Sequence, residues 1–139
     1  MTNDFQLAKE LLDSTDCTCV ICKASHTVSS VKHGVKPLLE WLGEGGDWSG
    51  ASAADRVVGN GAAYLYVLLG VNAVYARVIS HPALETLRAY GIATEYAELV
   101  PYIHNRSDTG ICPIEAAVSD ALDPADALRK IRKRLSELV

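Results

Sequence analysis

Residues 110–115 read Gly-Ile-Cys-Pro-Ile-Glu. Pro113 is a natural first helical residue, which makes Cys112 the N-cap and Glu115 the third helical position. Amides at a helix start favour a thiolate, so Cys112 is a candidate nucleophile or redox thiol. Glu115 opposes this, because a nearby carboxylate raises a thiol's pKa, unless it caps the helix's own amides. The pair Cys112 and Glu115 is the candidate catalytic set, set against the plainer reading of a small buried residue at a helix start. The polar loop before it holds Asn105, Arg106, Ser107, Asp108 and Thr109. There Arg106 could pair with a phosphate or carboxylate, and Asn105 and Asp108 could add hydrogen bonds. A solvated loop is the alternative.

Cys17, Cys19 and Cys22 have the metal-like spacing C-x-C-x-x-C. On a strand, however, Cys17 and Cys19 would face one way and Cys22 the other, so three thiols could not meet at one ion. No metal site is expected there.

The elements that must position these groups follow from pattern. Leu7, Ala8, Leu11 and Leu12 give a first helix, capped at Asn3 or Asp4. CTCVICK and HTVSSVK flank Ala24-Ser25 and read as a hairpin. VKPLLEWLGEG is a short helix. Ser52 is expected to cap a long helix over Ala53–Leu69, apolar nearly all round and therefore buried on several sides. Gly59 and Gly61 within it imply a close neighbour. AVYARVI is a strand; Pro82 opens a helix that Gly91 closes; ATEYAEL is a strand. Pro113 opens a helix to about Ala121, and Pro124 the last one, with Leu128, Ile131, Leu135 and Leu138 on one face. The order α-β-β-α-α-β-α-β-α-α predicts one domain over 1–139, an α/β three-layer α-β-α sandwich with a mixed sheet.

Composition bounds the function classes. The chain has 139 residues and a formal net charge of -4. Five basic residues lie between positions 124 and 139 against Asp126 and Glu137, a local +3 that leaves -7 for the remainder. The basic run falls late in a helix, where cations suit the dipole. Nucleic acid is therefore not the expected partner, and RNA association is the weakest alternative. The start lacks a basic, apolar leader, and the longest apolar stretch, 62–71, is too short to span a bilayer. The expectation is a cytoplasmic protein with reduced thiols and no membrane partner.

The stretch DRVVGNGAAYLYVLLGVNAVYARVISHPALETLRAYGI, followed by LVPYIHNRSDTGICPIEAAV, resembles the DUF1893 family over about residues 36–132. That family is similar in fold to the cytidine deaminases. The resemblance implies a deaminase-like fold, in which a His/Cys-x-Glu at the second helix and a Pro-Cys-x-x-Cys at the third hold a zinc. Matched to the expected helices, the second begins Ser52-Ala53-Ala54-Asp55-Arg56 and the third has Ala83 and Thr86 where the cysteines would be. No zinc ligand is retained there, so zinc-dependent deamination is not expected and no cofactor is implied. By the same resemblance Asp55 and Arg56 would floor the substrate pocket, and His81 would lie near the former zinc position. The family is expected to carry lysine after Val-Val-Gly, where this chain has Asn60.

The expected function is binding of a nucleotide-like or other small anionic ligand, as a sensor or regulatory module. Its residues would be Asp55, Arg56, His81, Asn105, Arg106 and Asp108. The alternative is a Cys112-dependent redox or covalent enzyme. A homo-oligomer is compatible with either.

Overall fold

The computed structural model describes residues 3–105, 107 and 110–138. Helix α1 (Asn3–Ser14) leads into a hairpin of β1 (Cys19–Lys23) and β2 (His26–Ser30). Its two-residue turn places Ala24 and Ser25 at φ of 50° and 69°. Such a turn wants left-handed residues at both positions, usually Asn-Gly. Here the carboxylate of Asp4 compensates by accepting the Ala24 and Ser25 amides at 2.9 and 3.1 Å. Helix α2 (Lys36–Glu44) follows, with Pro37 in its first turn and Gly45 at φ 73° as its C-cap.

The next segment corrects the sequence expectation. Residues 53–69 do not form one long helix. They divide into β3 (Ser52–Val58) and α3 (Asn60–Leu69), so Ser52 caps nothing and Asp55 and Arg56 stand on a strand. The first four residues of β3 are all buried, because the strand is paired on both edges and covered on both faces. A strand buried on both faces shows no alternation, and Ala and Asp are weak strand formers. Local pattern therefore pointed to helix, and tertiary pairing decided for strand.

The remainder is β4 (Ala73–Ser80), α4 (His81–Ala89), β5 (Ala93–Val100), a short α5 (Pro113–Ala117) and α6 (Pro124–Leu138). Helix α5 ends four residues before the sequence suggested. The sheet runs β2-β1-β3-β4-β5, with β1 antiparallel to both neighbours and β3, β4 and β5 parallel. This is a mixed five-stranded sheet of the α/β class.

Its two faces hold separate cores. On one, Ala8 and Leu12 of α1 cover Val20, Cys22 and Ala54. On the other, Leu38, Leu65, Tyr66, Leu87 and Ile131 from α2, α3, α4 and α6 cover Ile21, Ala53, Val74 and Ala76. The cysteines also depart from strict alternation. Because β1 starts at Cys19, Cys17 joins Cys22 in the α1 core, while Cys19 faces the opposite one.

The glycines at the start of α3 are explained by close side chains. A Cβ on Gly61 would lie 2.5 Å from Cγ2 of Ile114, and one on Gly59 would lie 2.9 Å from Oε2 of Glu115. Alanine at position 61 would gain about 1 kcal/mol of helix propensity. It would also press on a branched methyl that has little freedom to rotate away, an overpacking cost of about 1–3 kcal/mol. Gly61→Ala is expected to lower stability by roughly 1 kcal/mol net. In an Ile114→Ala background the same change should become neutral or stabilising, as urea unfolding of the four proteins would show.

Candidate functional site

A cavity of about 590 Å³ opens beside the carboxyl end of β3 and the start of α3. That volume suits a small molecule, and the carboxyl ends of parallel strands are where α/β sheets place ligands. Five sequence-expected residues line it: Asp55, Arg56, Asn105, Cys112 and Glu115. His81 does not. It is the exposed first residue of α4, following Ser80, whose Oγ accepts the Ala83 amide at 3.3 Å. Arg106 and Asp108 lie outside the described residues. Thr18, His33, Lys36, Gly59, Gly61 and His104 also line the cavity and were not expected from sequence.

Asp55 is only 7 % exposed. Its Oδ2 accepts the Tyr66 hydroxyl at 2.7 Å and its Oδ1 accepts the Val57 amide at 3.2 Å. Burial pushes its carboxyl up to about 7, and these hydrogen bonds pull it back only in part. Burial, and then the charge of Asp55, hold the Tyr66 phenol well above its ordinary range. Cys19, opposite Asp55 on β1, is raised by burial first and by Asp55 second, so its thiol stays neutral. Arg56 is anchored by its Nε, which donates to the Cys17 carbonyl at 2.9 Å.

Glu115 is buried and does not cap its own helix. Its Oε2 accepts the amide of Asn60 at the start of α3, and its Oε1 accepts the Ile103 amide at 3.2 Å. The carboxylate thus fastens the 103–115 segment to the positive end of α3. Asn60, where a lysine was expected, turns its side chain away from the cavity: its Oδ1 accepts the Thr86 hydroxyl at 2.5 Å.

Cys112 is half-buried and makes no side-chain capping bond, while its amide donates to the Ile103 carbonyl at 2.8 Å. Cys17, Cys19 and Cys22 are buried, and burial pushes the Cys22 thiol up to about 11. Cys112 is therefore expected to alkylate first, roughly ten-fold faster than any other thiol, in a timed reaction read by peptide mass spectrometry. A buried strand cysteine reacting first would show that access is not what ranks them. Among the described residues, no three His, Cys, Asp or Glu side chains form a group that could hold a metal ion. No described helix is long and apolar enough to cross a membrane.

Two signals for the missed residues were present. Pro37 marks a helix start, and helix starts often face ligands, which bears on Lys36 and His33. Gly59-Asn60-Gly61 after Val57-Val58 is also the pattern of a strand turning into a helix. Read so, it would have brought Tyr66 back over Asp55.

Comparison with known proteins supplies the context. The crystal structure of a DUF1893 family protein (TM1506) from Thermotoga maritima is similar, with a TM-score of 0.85 at 26% sequence identity. The match covers 99% of this chain and 91% of that one. No curated protein matches. The family described as a domain of unknown function (DUF1893) matches residues 7–135, and with nearly the whole described fold inside that match, the chain belongs to the DUF1893 family.

Proposed function

We propose that this domain binds a nucleotide-like or other small anionic ligand in the cavity beside β3 and acts as a sensor or regulatory module. The observation that carries the reading is a ligand-sized cavity that combines apolar walls with Lys36 and Arg56 among its lining residues. Val35, Ile103, Ile114, Leu135 and Leu138 supply apolar surface for a ring. The described helix α2 begins beside Lys36, and its N-cap Val35 offers no side-chain acceptor.

The finer reading is a cytidine deaminase-like fold that lacks the zinc set. Supporting it are the α-β-β opening and the alternation of parallel strands and helices from β3 to β5. In the observed order the second and third helices are α2 and α3, so the motif positions shift from those expected. They fall near His33-Gly34-Val35-Lys36-Pro37 and Gly59-Asn60-Gly61-Ala62, which provide one imidazole, His33, and no thiol or carboxylate. These residues do not suit zinc, which needs three good protein ligands in a catalytic site.

A thermal-shift screen of nucleotides and phosphorylated metabolites is the first experiment. For a hit, Lys36→Ala should remove a charge-assisted contact of roughly 1.5–3 kcal/mol, about one to two decades of affinity. Hits whose affinity is untouched by changes at both Lys36 and Arg56 would place binding elsewhere.

One observation favours a second reading. The half-buried Cys112 thiol lines the same cavity. A Cys112-dependent enzyme would lose turnover in Cys112→Ser with its fold intact, whereas a binding module would keep its ligand. The basic helix α6 favours neither reading. Arg129 and Lys130 pair with Asp126, Lys130 also reaches Asp120, and Arg134 lies near Glu137, so much of its charge is met locally.

A further inference from the structure

Asp55 is a buried carboxyl on the wall of a cavity, and its partners are a phenol and a backbone amide. No cation pairs with it among the described residues. A buried carboxylate left without a cation is costly and is retained where something else completes it. Among the described residues Tyr66 donates to one carboxylate oxygen and Val57 to the other, with the Arg56 amide also acting on the group, and acceptor capacity is left over. The basic side of the cavity is built separately. Thr18 donates its hydroxyl to the Lys32 carbonyl at 2.6 Å, which holds the segment leading to His33 and Lys36. Its own carbonyl accepts the Arg56 amide at 3.0 Å. Backbone from the segment leading to Lys36 and from β3 therefore meets at Thr18, while the Asp55 carboxyl turns toward Tyr66.

We propose that Asp55 determines specificity, by accepting hydrogen bonds from N–H groups of a ring whose anionic substituent is held by Lys36. The ligand is a nucleotide-like molecule that presents an amino group, rather than a carbonyl, at the recognised edge. This rests on the ligand-binding reading above and narrows it.

The discrimination depends on pH. The ionised carboxylate accepts from two donors, and the neutral acid loses one acceptor position. Burial holds the Asp55 carboxyl near 7, so preference for the amino ligand should grow as pH rises through that value. The other titratable groups around it are Cys19 on β1, Tyr66 on α3, Glu115 and Cys112 on and beside α5, and His104 in the preceding loop. Lys36, His33 and Arg56 complete the ring.

Calorimetry with two matched pairs, cytidine against uridine 5′-monophosphate and guanosine against inosine 5′-monophosphate, whose rings all stay neutral between pH 6 and 8, tests the assignment. In at least one pair the amino member should bind about ten-fold tighter at pH 8, and the ratio should shrink toward one at pH 6. Asp55→Asn should bring the ratio within about two-fold at both pH values while phosphate-dependent affinity remains. Tyr66→Phe removes a donor that favours the ionised form, so it should move the midpoint of the preference to higher pH. Equal binding of both members, or an amino preference that survives Asp55→Asn, overturns the specificity role and leaves the binding reading standing. Failure of all four to bind the parent protein overturns the nucleotide reading and this inference with it.

Discussion

At pH 8, Asp55→Asn is expected to make the protein more stable than its parent, and at pH 4 the two should be nearly equal. The sign follows from the Asp55 carboxyl, which stands at about 7 in the folded chain against an ordinary 3.8. Between those values the folded protein holds a proton that the unfolded chain releases. The corresponding stability is complete below 3.8 and lost as pH rises through 7. Three pKa units set a ceiling of about 4 kcal/mol, and relaxation of a cavity-lining site brings the expected loss to roughly 2–3 kcal/mol. Asparagine cannot ionise, and its oxygen can still accept from the Tyr66 hydroxyl or the Val57 amide. The difference between parent and variant isolates this group from Asp47 and Asp126, whose depressed values act in the opposite sense at acid pH. Urea unfolding at pH 4, 6 and 8 provides the measurement. A parent that keeps its stability from pH 4 to 8, or a variant less stable than the parent at pH 8, would show that Asp55 remains ionised throughout.

The same residue marks where the sequence was legible and where it was not. The hairpin could be read because CTCVICK and HTVSS are short β-prone runs around a two-residue break. Helix α4 could be read because Pro82 opens it and Gly91, at φ 76°, follows its end. Helix α6 declared itself through Leu128, Ile131 and Leu135. In each case the local signal and the tertiary environment agree. They disagree at 52–58, where a central strand built from Ser, Ala, Ala and Asp lacks both alternation and strand propensity. Asp55 and Arg56 therefore read as a helix start, whereas they stand within a strand. The error also hid Tyr66, which a continuous helix would carry three turns from Asp55 and which the strand-to-helix reversal brings to 2.7 Å. Cys112 and Glu115 were legible as a helix start, but no local pattern could show that Glu115 serves a different helix.

Removal of that carboxylate should have the other large effect. In Glu115→Ala the amides of Asn60 and Ile103 lose their acceptor in a place where Glu115 is only 6 % exposed. Each charge-assisted bond is worth about 1.5–3 kcal/mol, and water entering from the adjoining cavity can recover part of it. The expected net loss is roughly 2–4 kcal/mol. Glu115→Gln keeps one oxygen but turns an amino group toward the other N–H, so it should fall between parent and alanine variant. Loss should be local before it is global, because α5 has only five residues and Ile103 also accepts from the Cys112 amide. Amide exchange should accelerate first at Asn60 and Ile103, and alkylation of Cys112 should quicken in the still-folded variant. A purely chemical role for Glu115 predicts a different pattern: full stability, unchanged exchange at those two amides and an unchanged Cys112 rate. Observing that pattern would remove the fastening role and return Glu115 to the reactive groups of the cavity.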